Sequence, residues 1–465
     1  MDYDVLIIGA GMSGLAAGIR LAHFGKRVVI CEKHALVGGL NSYFRRHGRE
    51  FDVGLHAMTN FARSGDRSAP LNRLLRQLRL EYTDLRLQPQ GYSEIRFPQE
   101  TLRFTNHPAD LEEAVARSFP GQADGFRALT ARVRATDRFA LADSGLSTRA
   151  VLKECITDPL LVEMLLCPLL FYGSATPDDM DFNQFCVMFQ SLYLEGFARP
   201  EGGVRTLLKL LLDRFREAGG ELRLRGGVAG IRDLPHGEGK AVRLDDGAEV
   251  TCGAVLSCAG YHETLRLCVP DYRPDPAHPE GQLSFVETIL VTSRPVHEAG
   301  FGASILFFNT AEHFHYRRPS RLTDARSGVV CAPGNFAGAG PGHSGEDMLR
   351  ITQLADHEPW MRMDDDEYQE AKDKLLAETV TLAESFVPGI RDRLVCTDMF
   401  TPRTIVQFTG HLNGAVYGAP VKAKDGVLPV PGVFLCGTDQ GFLGITGALL
   451  SGTSIANRHL LRASP

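Results

Sequence analysis

The run Val5-Leu6-Ile7-Ile8-Gly9-Ala10-Gly11-Met12-Ser13-Gly14 carries a short apolar strand straight into a glycine-rich turn, and the helix-like stretch Leu15 to Phe24 follows directly. A GxGxxG spacing between a buried strand and a helix is the fingerprint of a dinucleotide-binding βαβ unit. Gly9 permits the tight turn, Gly11 lets the backbone approach a diphosphate, and Gly14 lets helix pack closely on strand. Ser13 belongs to the same loop and counts among the candidate cofactor contacts. The diphosphate belongs at the helix N-terminus, where unpaired N–H groups and the helix dipole favour negative charge.

A second apolar strand, Arg27 to Cys31, ends in Glu32, about twenty residues beyond the glycines, where a carboxylate hydrogen-bonds a ribose hydroxyl. A carboxylate there repels a 2′-phosphate, which disfavours NADP as the first ligand. Lys33 is a further candidate contact, though a surface lysine explains it as well.

A chain of 465 residues exceeds one hydrophobic core, so two closely joined domains are expected. Its 44% hydrophobic and 23% charged residues fit a folded globular protein. A net charge of -6 with scattered arginines offers no basic stripe and disfavours a nucleic-acid partner. Ten cysteines without a CxxC pair suit a reducing cytoplasm. The strand starting at Val5 leaves no room for a cleavable signal, and the most apolar stretch, Leu160 to Tyr172, is broken by Glu163 and Pro168 and too short to span a bilayer. The expected location is cytoplasmic, with a peripheral membrane contact as an option.

Glycine punctuation continues at Gly38-Gly39-Leu40-Asn41 and at Asp52-Val53-Gly54-Leu55-His56, segments expected to extend the cofactor cradle. Residues 1–105 are read as the first part of the nucleotide-binding domain and 106–199 as a helical substrate or lid region. Residues 200–265 are its second part: Pro200-Glu201-Gly202-Gly203, an amphipathic helix from Val204 to Ala218, strands at Glu221 to Leu224 and Gly227 to Ile231, and a hairpin around Asp245-Asp246-Gly247. That hairpin includes Glu249 to Thr251, and a separate buried strand is expected at Ala254 to Gly260. Residues 266–395 are read as a substrate-domain sheet, predicted antiparallel, with strands at Ser284 to Val291, Ala303 to Asn309 and Gly328 to Ala332, and a flexible loop at Gly334 to Gly345. Residues 396–465 close the nucleotide-binding domain with the strand and turn Gly432 to Asp439 and a helix from Gly444.

With these pieces in order, the chain resembles the flavin-dependent amine oxidase and phytoene desaturase superfamily, most of all its carotenoid desaturase, carotenoid isomerase and retinol saturase branch. Four motifs carry the resemblance: Gly9 to Gly14 with Glu32; Val37-Gly38-Gly39; Pro200 to Gly203 with its helix and Val228; and Gly437-Thr438-Asp439 with the final helix. It implies an α/β fold: a discontinuous Rossmann-like FAD-binding domain, with a parallel sheet and a β-hairpin insertion, beside a mixed α+β substrate domain with a helical insertion. It also implies FAD, with Glu32 on the adenosine ribose, the Val228 backbone at adenine, Asp439 on the diphosphate or ribityl chain, and Gly444-Ile445-Thr446-Gly447-Ala448 beside the flavin ring. A helix N-terminus there stabilises the charge that develops on flavin reduction. Two departures stand out: Leu40-Asn41 replaces the arginine that many members carry after the paired glycines, and no cysteine precedes Tyr417-Gly418, which points to non-covalent FAD.

The resemblance also places His56 and Tyr417 near the reactive ring. His56 is the first candidate for a proton acceptor in desaturation, with a merely hydrogen-bonding histidine as the competing reading. Tyr417 is the second, with simple packing as its alternative. Phe182, Phe185, Met188, Phe189, Leu192, Tyr193 and Phe197 read either as a tunnel for a polyisoprenoid or as ordinary core. His313 and His315 would share a strand face, without a carboxylate or cysteine to complete a metal site, so no metal is expected. No second GxGxxG follows a strand, so electrons should leave to dioxygen, a quinone or a diffusing nicotinamide. The expected partner is an apolar small molecule, and Leu160 to Tyr172 is a candidate membrane-contacting segment. Three functions compete: oxidation, reduction or isomerisation of carbon-carbon bonds in an isoprenoid, oxidation of an amine or amino acid, and prenyl-group binding by a non-catalytic chaperone of the same fold.

Overall fold

The computed structural model describes residues 1–137, 143–338 and 345–461. The chain opens with β1 (Tyr3–Ile8), α1 (Met12–His23) and β2 (Val28–Glu32). A short ribbon, Tyr43–Arg46 paired with Arg49–Asp52, precedes β3 (Ser93–Arg96) and β4 (Thr101–Phe104). A helical stretch follows and includes α2 (Pro159–Gly173). After the helix Val204–Glu217 come β5 (Glu221–Leu224), β6 (Val228–Asp233), β7 (Lys240–Leu244), β8 (Glu249–Ser257) and α3 (Tyr261–Cys268). Further along the chain lie β9 (Ser284–Thr292), β10 (Ile305–Asn309), β11 (Ser327–Cys331), β12 (Asp347–Ala355), β13 (Leu394–Phe400), α4 (Pro402–Thr409), β14 (Val433–Leu435) and α5 (Gly444–Ile455).

Two seven-stranded sheets organise the molecule. The first runs β6-β7-β8-β1-β2-β5, with β14 also paired to β8. Its nucleotide-binding half is parallel, since β1 pairs with β2 and β8 and β2 with β5 in one direction, while β6, β7 and β8 meander antiparallel. The second runs β13-β9-β12-β11-β10-β3-β4.

Burial explains the pattern of the strands. In the centre of the first sheet, Leu6, Ile7, Val29 and Ile30 are completely buried, because helices cover one face and the meander's apolar side chains the other. Across α1, Leu15, Ile19 and Leu21 are likewise fully buried. Each such side chain contributes about 1.5–3 kcal/mol relative to exposure. The helix rests on α5 and on Val204–Glu217; of the expected stripe Leu207, Leu208, Leu211, Leu212 and Phe215, all but the half-buried Leu212 are buried.

Several expectations are corrected. Glu249 to Thr251 and Ala254 onward form one continuous strand, β8, because its first half pairs with β7 and its second with β14, so no break is required. The second sheet is mixed, not purely antiparallel: β10 and β3 pair in parallel, and residues 93–104 join it from far upstream. The segment Leu160 to Tyr172 is not a membrane face, since α2 is buried nearly all round. Of the two readings of the aromatic run Phe182 to Phe197, core holds over tunnel, since it packs into that same core. His313 and His315 lie after β10, in no strand, because the chain leaves the sheet at Asn309. Half of the glycine-rich patch from Gly334 to Gly345, residues 339–344, falls outside the described residues. No helix among the described residues is long and apolar enough to cross a membrane.

Candidate functional site

Both sheets contribute to a cavity of about 430 Å3. On the first sheet's side, Gly9, Gly11 and Ser13 of the fingerprint, Glu32 and Lys33 after β2, and Val228 at the start of β6 line it. Gly38, Gly39, Leu40 and Asn41 line it too, held against the fingerprint by a backbone bridge between Gly11 and Gly38. Gly437 and Thr438 border it after β14, and Gly444, Ile445 and Ala448 at the start of α5. His56 and Tyr417 face the same space, beside Phe285, Glu287, Val329 and Thr352 of the second sheet.

The fingerprint glycines divide their work by geometry. A Cβ on Gly11 would meet nothing within 4 Å, so the backbone there is bare and open to a ligand. One on Gly14 would meet the Gly9 carbonyl oxygen at 2.1 Å and Cys258 Sγ at 3.2 Å, so this glycine serves helix packing and does not line the cavity. No side chain caps either α1 or α5 at its N-terminus. Two helix dipoles therefore open onto one cavity with unfilled N–H groups, an arrangement suited to a ligand with negative charge at two separated places.

Glu32 is fixed before any ligand arrives. One oxygen accepts the Ala10 N–H at 2.7 Å, the other the His34 N–H at 2.8 Å. A carboxylate offers about four acceptor positions, so capacity for ribose hydroxyls is left.

Asp439 behaves differently from the expectation that it holds the diphosphate or ribityl chain. It is buried and does not line the cavity, because its oxygens accept backbone N–H groups from Tyr261 at 2.7 Å and Ala419 at 2.8 Å. It braces two loops, and Gly437 and Thr438 beside it present themselves to the cavity instead. Thr446 is also turned away, its hydroxyl donating to the Thr59 carbonyl at 3.2 Å.

At His56 the second sheet supplies what sequence reading missed. The Nε2 lies 3.1 Å from Glu287 Oε2 and 3.1 Å from the Thr352 hydroxyl, which itself donates to that carboxylate oxygen. Burial pushes the Glu287 carboxyl up, but the Arg350 guanidinium and then His56 outweigh it and hold the pKa at about 2. Glu287 is thus an ionised acceptor, and it fixes the histidine tautomer: Nε2 carries the proton and Nδ1 keeps its lone pair. Nδ1 has no hydrogen-bond partner among the described residues. Two buried arginines hold the backbone here: Arg199 donates to the Leu55 carbonyl at 2.7 Å and Arg350 to the same carbonyl at 2.9 Å. The signal that could have found Glu287 is a lone carboxylate within an otherwise uncharged, wholly buried strand, which demands a partner.

Tyr417 is occupied. Its hydroxyl donates to the Phe171 carbonyl at 2.5 Å, and burial pushes its pKa well up, so the phenol stays protonated and committed to the backbone. Its ring meets Phe285 edge to face at 5.9 Å. Cys31 and Cys258 are the cysteines along the cavity among the described residues, and neither adjoins Tyr417. No group of three or more metal-ligating side chains comes together among the described residues.

The fold and this cavity place the chain among the two-sheet dinucleotide-binding flavoproteins. It matches the flavin containing amine oxidoreductase family over residues 12–460 and belongs to that family. It is therefore an FAD-dependent oxidoreductase, and the bare backbone at Gly11, the ribose acceptor Glu32 and the two open helix N-termini fit FAD. It is 23% identical to prolycopene isomerase 2 of an Oncidium hybrid cultivar, across 92% of this chain and 78% of the relative. It is also 23% identical to the all-trans-retinol 13,14-reductase of Danio rerio, across 99% of this chain and 87% of that one. Among solved structures, an oxidoreductase from Methanosarcina mazei shares the fold, with a TM-score of 0.67 at 16% identity over 98% of this chain and all of that one (100%).

Proposed function

We propose that this enzyme desaturates, saturates or isomerises carbon-carbon bonds of an apolar, isoprenoid-like or carotenoid-like molecule. The observation that carries the reading is the second-sheet end of the cavity. Phe171, Phe285, Val329, Val416 and Leu443 wall it with apolar surface, and its carboxylate, Glu287, is already shared by Arg350, His56 and Thr352. An ammonium substrate would find no free anion there, which disfavours amine oxidation. An open cofactor cradle disfavours a non-catalytic prenyl chaperone. Two relatives, named for prolycopene and for all-trans-retinol, agree with a polyene substrate.

When bound, FAD supplies a hydride-accepting or hydride-donating centre at N5. His56 presents Nδ1 as the base that takes, or returns, the proton on the neighbouring carbon. Glu287, anchored by Arg350, keeps the ring oriented and stabilises the imidazolium that proton uptake creates. The α5 N-terminus favours negative charge on the reduced cofactor. Aromatic and aliphatic walls exclude water from the reacting carbons. An external acceptor, whether dioxygen, a quinone or a diffusing nicotinamide, completes a redox cycle. Cytoplasmic placement with transient membrane contact suits uptake of such a substrate.

Anaerobic titration of the holoenzyme with polyene precursors and, separately, with amines tests the reading. Bleaching of the flavin band by polyenes, or polyene isomerisation by the prereduced enzyme, supports it. Bleaching by amines alone would falsify it.

A further inference from the structure

The loop after α4 carries His411, a cavity-lining residue with a carboxylate partner of its own. His411 Nδ1 lies 3.7 Å from Glu263 Oε1, and the same oxygen accepts the Leu412 N–H at 2.8 Å. The two side chains are only 12% and 17% exposed, and both border the cavity. Among the described residues the other ring nitrogen, Nε2, has no hydrogen-bond partner, and it is not sealed from solvent.

Its position follows from its neighbours. Upstream, α4 packs on the turn Gly39–Asn41, next to the Gly38 that bridges to Gly11. Phe408 meets His34, two residues beyond Glu32, edge to face at 5.4 Å. Downstream, Glu263 stands over Gly260, just past the carboxyl end of β8. The segment from Phe408 to Leu412 therefore runs along the cavity from its ribose end, at His34, to the β8 end, at Glu263.

Charge makes the same demand. The cavity is lined by three carboxylates, Glu32, Glu263 and Glu287, against one lysine, Lys33. Arg350 compensates Glu287 from behind. An anionic diphosphate added to this lining needs a further cation, and backbone N–H dipoles neutralise it only in part.

We propose that His411, held as an imidazolium by Glu263, donates through Nε2 to the FAD diphosphate and is the principal side-chain counter-charge of the cofactor site. The assignment is independent of the substrate.

Titration supports the geometry. Burial by itself lowers the His411 pKa, but Glu263, with a smaller effect of Asp439, overrides it and raises the value above the ordinary 6.5, against a weak opposing effect of Lys422. These three groups, from α3, from the turn after β14 and from the loop after Tyr417, all act on the ring. A raised pKa means that the counter-charge is present in full at low pH and is lost as pH climbs through that value. Lys422, whose ammonium lies 3.6 Å from Asp439, is the other buried cation nearby, and the His411 variants separate its titration from that of the imidazole.

The test measures the Kd of the flavin-stripped full chain for FAD and for riboflavin, which lacks the diphosphate, from about pH 6 to about pH 9. FAD binding of the wild type should weaken roughly tenfold across this range while riboflavin binding stays flat. His411→Arg should bind FAD tightly at every pH, and His411→Gln weakly at every pH. Retention of the wild-type pH dependence in His411→Gln, or equal losses of FAD and riboflavin affinity, overturns the proposal. Should His411→Arg fail to fold, Glu263→Gln decides: the midpoint should fall, and an unmoved midpoint overturns the proposal.

Discussion

Glu287 and Arg350 form an ion pair within the second sheet, with Arg350 only 1% exposed, and the carboxylate oxygen left over reaches His56 at 3.1 Å. Arg350 does not line the cavity, and both Glu287 oxygens are already engaged, so the pair's effect on chemistry passes through the imidazole. Glu287→Gln should lower kcat at least tenfold and leave a buried guanidinium without its counter-ion, at a cost of about 3–5 kcal/mol. Thermal melting of the flavin-free protein beside rapid reduction kinetics separates the two effects.

The same carboxylate sets an acid limit on the fold. Its pKa falls from 4.5 to about 2 on folding, so its contribution is complete above the unfolded value and drains away as pH falls through the native one. Wild type should lose stability on the order of 3 kcal/mol between these limits beyond what the Glu287→Gln variant loses. Urea midpoints measured across that acid range check the difference; parallel curves would refute it.

Gly11 and Gly14 should fail in opposite ways. Gly14→Ala forces a Cβ to within 2.1 Å of the Gly9 carbonyl oxygen and should lower the melting temperature of the flavin-free protein by several degrees. Gly11→Ala meets nothing within 4 Å and should melt like wild type while losing FAD affinity by at least tenfold. Calorimetry without flavin and fluorescence titration with it provide both readings.

Asp439→Ala removes the acceptor of two backbone N–H groups and should destabilise the flavin-free protein by about 1–3 kcal/mol for each donor stranded. A residue gripping the diphosphate directly would instead weaken FAD binding and leave flavin-free stability alone. Comparison of melting with and without FAD discriminates.

Tyr417→Phe deletes a hydroxyl bonded to the Phe171 carbonyl and keeps the ring. Stability should drop by about 1 kcal/mol while kcat stays within a few-fold of wild type. A loss of about a hundredfold or more in kcat would give the phenol a chemical role.

The cofactor half of the cavity was legible in the sequence because its determinants are local: Gly9, Gly11 and Glu32 keep a fixed spacing along one βαβ unit. The reactive half was not, because Glu287 and Thr352 meet His56, and Arg350 meets Glu287, only after β9 and β12 pair and their faces turn toward it. Phe182 to Phe197 stayed open between two readings because helical spacing of aromatic residues is the same whether they bury against core or border a ligand, and here they bury. Asp439 carried a motif, yet the loops that claim its oxygens, at Tyr261 and Ala419, lie 178 and 20 residues away.

Tyr3 at the head of β1 sits opposite Cys252, and Val5 opposite Ala254. During synthesis, at about 5–20 residues per second, the fingerprint strand therefore waits many seconds for the neighbour on its open side. Throughout that interval a ribosome-bound fragment displays an unpaired strand edge that is apolar from Val5 to Ile8, the kind that joins other chains. Early capture of this edge by a chaperone, rather than the later arrival of FAD, is where expression of the protein should be most sensitive.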